Sequence, residues 1–105
     1  MPLTRAFKDT VKARAERDAA FRDALLTEGV DALLAGDMDI GKAILRDYIN
    51  ATVGFDKLAE DTGTPAKSLM RMFGPRGNPN ARNLFSIIHR LQNASGVSLR
   101  VRPSR

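Results

Sequence analysis

Apart from one short stretch near its C-terminal end, every apolar pattern in this chain repeats with the period of an α-helix, and that feature removes most sheet-based folds from a sequence of 105 residues. Leu3, Phe7 and Val11 recur every four residues around Thr4, a residue type suited to a helix N-cap, so residues 4–16 read as an amphipathic helix. From Asp18 the series Phe21, Leu25, Ala32 and Leu33 continues helical spacing up to Gly36, with Gly29 inside it as a candidate break. Asp39 opens a third segment, in which Ile40, Ala43, Ile44 and Ile49 are spaced for one buried face, and Gly54 closes it. Segments 55–61, 65–73 and 81–94 complete the helices, each bounded by glycine or proline. Only Val97, Leu99 and Val101 alternate with period two, which predicts a short strand over 97–102. The expected fold is all-α: one domain over 1–105, a compact helical bundle with N-terminal helices in 1–36, a core in 39–96 and the terminal strand.

Several functional classes are excluded by what the chain contains. Without cysteine there is no disulfide or thiolate metal site, and His89 alone cannot make a multi-histidine one. No apolar run approaches the roughly 20 residues of a membrane span, and the opening segment is too charged for a secretory leader, so a cytoplasmic protein with no membrane partner is expected. Asp31, Asp37, Asp39 and Asp47 raise the question of a magnesium or acid–base site. Their surroundings read instead as helix starts and solvated faces, with no nucleophile constellation and no phosphate-cradling motif. The expectation is a non-enzyme with no catalytic residue, no metal and no cofactor.

Charge is distributed unevenly. Residues 1–61 carry nine Lys or Arg against twelve Asp or Glu, a net of −3. Residues 62–105 carry eight Lys or Arg and no acidic residue, a net of +8. Solvated surfaces normally interleave both signs, so 44 residues without a carboxylate point to a polyanionic partner.

Within that boundary lies FDKLAEDTGTPAKSLMRMFG, which reads as a helix-turn-helix. Ala59 is small enough for a second helix to cross close by, and Gly63 supplies the positive φ of the turn. Leu58, Leu69, Met72 and Phe73 face inward, Thr64 is placed to cap the second helix, and Pro65 fits its first turn. Ala66, Lys67, Ser68 and Arg71 then point outward from the second helix, where such helices meet base edges in the DNA major groove. Arg71 suits bidentate contact with guanine, Lys67 guanine or phosphate, Ala66 a thymine methyl, and Ser68 either.

The next segment, GPRGNPNARN, is stiffened by proline, and Asn78 or Asn80 is placed to cap the helix after it. With Thr64, its Arg76, Asn78, Asn80 and Arg82 are candidate phosphate contacts, which set register on a duplex without reading sequence. The alternating tail offers Val97, Leu99 and Val101 for pairing with a second copy, so a homodimer with paired terminal strands is expected.

Three stretches, ALLAGDMDIGKAILRDYI, FDKLAEDTGTPAKSLMRMFGPRGNPNARNLFSIIHRL and VSLRV, together resemble the addiction-module antidote proteins, antitoxins and prophage-type regulators with a lambda-repressor-like helix-turn-helix. The resemblance runs from about Phe21 to Val101, and GNP at 77–79 is its most specific element. It implies a repressor that occupies its own operator and neutralises a small, basic, mRNA-cleaving toxin encoded beside it. By position it assigns DNA reading to Ala66, Lys67, Ser68 and Arg71, and phosphate contact to the neighbourhood of Asn78 and Asn80. Two rival readings are a protein-interaction module whose helix-turn-helix is inherited scaffold, and a stand-alone prophage-type regulator.

Overall fold

The computed structural model describes residues 5–105, and among them are six helices and no strand. In order these are α1 (Arg5–Arg17), α2 (Ala19–Leu34), α3 (Met38–Ala51), α4 (Phe55–Thr62), α5 (Ala66–Met72) and α6 (Ala81–Ser95). The Cα radius of gyration, 13.2 Å, is that of a single compact body of this length. Leu3 and the Thr4 cap lie outside the described residues, as does the side chain of Phe7.

A single residue, Asp18, joins α1 to α2. It is extended, and its carboxylate accepts a 3.0 Å hydrogen bond from the Phe21 amide, satisfying one of the free N–H groups that every helix start leaves. Arg14 reaches over the same corner, 3.6 Å from the Asp18 carboxylate and 4.6 Å above the Phe21 ring. Helix α2 does not divide at Gly29. The glycine is there because α3 crosses on top of it: a Cβ at that position would stand 2.9 Å from Leu45 Cδ2. Close packing at the crossing outweighs the roughly 1 kcal/mol that glycine costs inside a helix. Leu26 and Gly29 therefore form the buried line of α2, while Phe21, Leu25, Ala32 and Leu33 flank it half-buried.

Helix α3 is capped two residues earlier than the sequence suggests, with Asp37, not Asp39, accepting from the Ile40 amide at 3.5 Å. Its buried stripe runs through Gly41, Leu45, Tyr48 and Ile49. Ile40, expected on that stripe, is 53% exposed, and Ala43 and Ile44 are half-buried. The isoleucine spacing misleads here because a glycine and a lysine occupy positions on the true inner face.

Helices α4 and α5 meet at Gly63, whose φ of 73° places it in the left-handed region and lets its N–H reach the Ala59 carbonyl at 2.9 Å. The expected Thr64 cap is absent. Pro65, extended at ψ 141°, is the residue before α5, and its carbonyl accepts from the Ser68 and Leu69 amides at 3.0 and 3.1 Å. Thr64 stands one residue too far upstream, and its own amide donates to the Thr62 hydroxyl at 3.2 Å. Leu58, Leu69 and Phe73 are buried, with the Phe55 and Phe73 rings 6.4 Å apart, and Met72 is half-buried against the same core. Leu84, Ile87, Ile88 and Leu91 of α6 close that core from the other side, as their spacing predicts.

The tail after Gly96 is not a strand. Val97 and Leu99 lie against the core of their own chain, and the Leu99 amide donates to the Gln92 side chain at 2.8 Å. Alternation reported which side of the tail is apolar; it could not report that a glutamine of α6 supplies the hydrogen bond that a neighbouring strand would otherwise provide. Val101 is left 77% exposed.

Candidate functional site

Lys67, Ser68 and Arg71 are exposed on α5, with Lys67 and Arg71 one turn apart on the same side. Ala66 is not. It is half-buried and sits against the core cluster, so its methyl serves packing at least as much as any surface. The inward residues Leu69 and Phe73 fix the rotation of the helix and hence the direction of its basic side.

Electrostatically α5 differs from α4. On α4 the Asp61 carboxylate lies 3.1 Å from Lys57 Nζ, and this hydrogen bond raises the lysine pKa above its ordinary value. Ion pairs among the described residues also join Arg14 to Asp18 and Lys42 to Asp39, and all three fall within the first 61 residues. Lys67, Arg71, Arg76, Arg82 and Arg90 have no carboxylate within ion-pair reach among the described residues. Their charge is not offset locally, so their attraction for an anion adds along the surface.

The loop after α5 folds back onto that helix. The Gly74 amide donates to the Arg71 carbonyl at 3.1 Å, and the Gly77 amide donates to the Gly74 carbonyl at 3.0 Å. Gly77 presses so closely on the end of α5 that a Cβ there would overlap the Arg71 carbonyl oxygen and lie 2.5 Å from that of Met72. Arg76, Asn78, Asn80 and Arg82 are exposed along and just beyond this loop. Of the two candidate caps it is Asn80 that serves, its carboxamide oxygen accepting from the Asn83 amide at 2.8 Å. That leaves the Asn80 NH2 group for any phosphate.

The residue that the sequence reading missed is Lys42. It is the one charged side chain recorded in the core of the described residues, 3% exposed, and its Nζ donates to the Gly77 carbonyl at 2.6 Å and to the Gly74 carbonyl at 3.1 Å. The exposed carboxylate of Asp39 is 4.0 Å away. A signal was present: Lys42, Leu45 and Ile49 share one helical stripe, and a lysine on an otherwise apolar stripe has to find acceptors.

At the other end of α5, Thr64 is brought to α6. With Thr62, Asn83, Ser86 and Arg90 it lines a cleft of about 210 Å³. Arg90 thereby joins the basic residues around α5, although its sequence position offered no role for it. The expected dimerisation residues lie elsewhere: Leu99 and Val101 line a groove of about 490 Å³ with Asp31 and Leu34 of α2, Phe85 of α6, and Arg100 and Arg102 of the tail. Leu34, Phe85 and Val101 are all exposed there.

No group of three or more potential metal-ligating side chains is found among the described residues, and no helix among them is long and apolar enough to cross a membrane. Compared with protein-family models, with curated proteins and with solved structures, the chain matches none.

Proposed function

We propose that this protein is a sequence-specific DNA-binding repressor that uses α4, the Gly63 turn and α5 as a helix-turn-helix. The supporting observation is the exposed set Lys67, Ser68 and Arg71 on α5, whose two cations have no ion-pair partner among the described residues, with Arg90 lining a cleft beside this helix and Arg76 exposed in the loop that follows it. In this reading α5 enters the major groove, with Arg71 on a guanine edge and Lys67 on guanine or phosphate, while Thr64, Arg76, Asn78, Asn80 and Arg82 hold the backbone. The homodimer belongs to the same proposal, but its contact is the groove beside Leu34, Phe85 and Val101 rather than paired strands. There Asp31 of one copy and Arg100 or Arg102 of the other can pair across a two-fold axis. A strictly monomeric protein in sedimentation equilibrium removes that part.

The antitoxin role suggested by the resemblance is supported by a second surface. Met38 and Ile40 are exposed at the start of α3 beside Asp37 and Asp39, apolar side chains with acidic borders that suit a basic protein partner. The same patch is what the protein-interaction reading would require.

The two classes part on one experiment. Duplexes selected by the protein from a random pool are used to compare Arg71→Ala with Arg82→Ala. Arg71→Ala costs about 1–3 kcal/mol on the selected sequence and little on random DNA, whereas Arg82→Ala weakens both alike. Equal losses for both variants on every sequence would show that α5 does not read bases, and failure to select any duplex would leave the protein-interaction reading.

A further inference from the structure

We propose that Lys42 is a positioning residue for the DNA-contacting surface, fixing the 74–77 loop against the end of α5 so that Arg76 is held in register with Arg71. The role toward DNA rests on the reading given above; the anchoring of the loop does not.

A lysine ammonium taken out of water is costly unless its protons are satisfied, and an unbranched apolar residue would fill the same space without that cost. Lys42 is nevertheless buried, and it spends two protons on carbonyls 32 and 35 residues away in sequence. Both acceptors belong to the turn that brackets Pro75 and Arg76, so the backbone on each side of Arg76 is tied to α3. The same turn is braced against α5 by the Gly74 amide on the Arg71 carbonyl and by the contact of Gly77 with the Arg71 and Met72 carbonyls. The carbonyl end of α5 is also where a helix favours positive charge. Lys42 therefore ties α3 to a loop that is itself braced against the end of α5.

A phosphate contact sets register only if it is rigid relative to the base-reading side chain. The loop forms no helix or strand, and Pro75 and Pro79 stiffen it internally without tying it to α3. Lys42 supplies that constraint from behind, without touching the DNA.

The test is a double-variant cycle. Lys42→Met is made in the wild-type chain and in Arg76→Ala, and the affinity of each protein is measured for one duplex selected by the wild type. Amide hydrogen exchange of residues 74–80 is followed in the free proteins. Lys42→Met is expected to speed loop exchange, leave the α6 core amides protected, and weaken binding about tenfold in the wild type but less than about twofold in the Arg76→Ala background. Should Lys42→Met not fold, Lys42→Gln, which keeps one donor group for these carbonyls, carries the same criteria with a smaller loss. Unchanged loop exchange overturns the anchoring, and losses that simply multiply in the double variant overturn the positioning role. A wild type that selects no duplex overturns the DNA reading and the positioning role with it, whereas a wild type that binds and a Lys42→Met that binds equally well overturns the positioning role alone.

Discussion

The junction between α2 and α3 and the junction between α5 and its following loop are each closed over a glycine, but different forces hold them. At the first, Gly29 lets α3 lie against α2, and what meets it is apolar: the side chains of Leu45 and Ile44. At the second, Gly77 lets the loop lie against α5, and what meets it is backbone carbonyl oxygen, with a buried ammonium on the far side. An apolar contact tolerates small readjustments, because the ends of aliphatic side chains can turn and dispersion is non-directional. A contact between main-chain atoms and hydrogen bonds of defined length does not. The contact over Gly29 is thus a forgiving one, and the contact over Gly77 beside the candidate binding surface an exacting one.

Substitution of these two glycines should separate the mechanisms. Gly77→Ala places a methyl on the carbonyls of Arg71 and Met72, so the loop must lift, and Lys42 loses its acceptors at the same time. A loss of about 3 kcal/mol is expected in chemical denaturation, together with rapid exchange of the loop amides. A stable protein with a protected loop would mean that the two junctions do not differ. Gly29→Val overfills the α2–α3 crossing, where Leu45 is fully buried and can move only partly. Its cost is expected to be smaller, about 2 kcal/mol after the gain in helix propensity, with DNA affinity of the folded protein unchanged. If Gly29→Val weakens DNA binding at saturating stability, the scaffold and the surface are coupled more closely than the contacts suggest.

The smallest effect concerns the corner between α1 and α2. The Phe21 amide, and beyond it the Arg14 guanidinium, hold the Asp18 carboxyl below its ordinary value of 3.8. A carboxyl depressed on folding stabilises the folded state above the ordinary value, and that contribution is lost as pH falls through the depressed one. Thermal melts of wild type and Asp18→Ala should differ at neutral pH and converge in acid, with no change in the α5 region. A difference that is constant with pH would assign the stabilisation to something other than the carboxylate.

How much of this was visible in the sequence follows from the kind of force involved. Leu84, Ile87, Ile88 and Leu91 were legible as a core stripe because burial imposes the helical period directly on the residue types. Gly63 was legible because a left-handed residue between two helical patterns calls for glycine. The inner face of α3 was not, since Ile40 and Ile44 imitate a stripe and the true one contains Gly41 and Lys42. Their suitability depends on Leu33, Gly29 and the loop at 74–77, all distant in sequence or on another element. The tail was misread for a related reason: alternation identified Val97 and Leu99 as facing something apolar, and that surface belongs to the same chain. Lys67, Ser68 and Arg71 were placed correctly on the exposed side of α5, while Ala66 turned inward because α5 starts at that residue and its first turn leans on the core.

The most direct test of the claim that the unpaired cations form a DNA-binding surface is the salt dependence of duplex affinity for the wild-type protein. Each phosphate neutralised releases condensed counterions, so a dimer making about six such contacts gives a slope of log affinity against log salt concentration near −5. A slope of that size is the expected result. A slope close to zero, or no binding at low salt, would contradict the claim and leave the acid-free half of the chain without its partner.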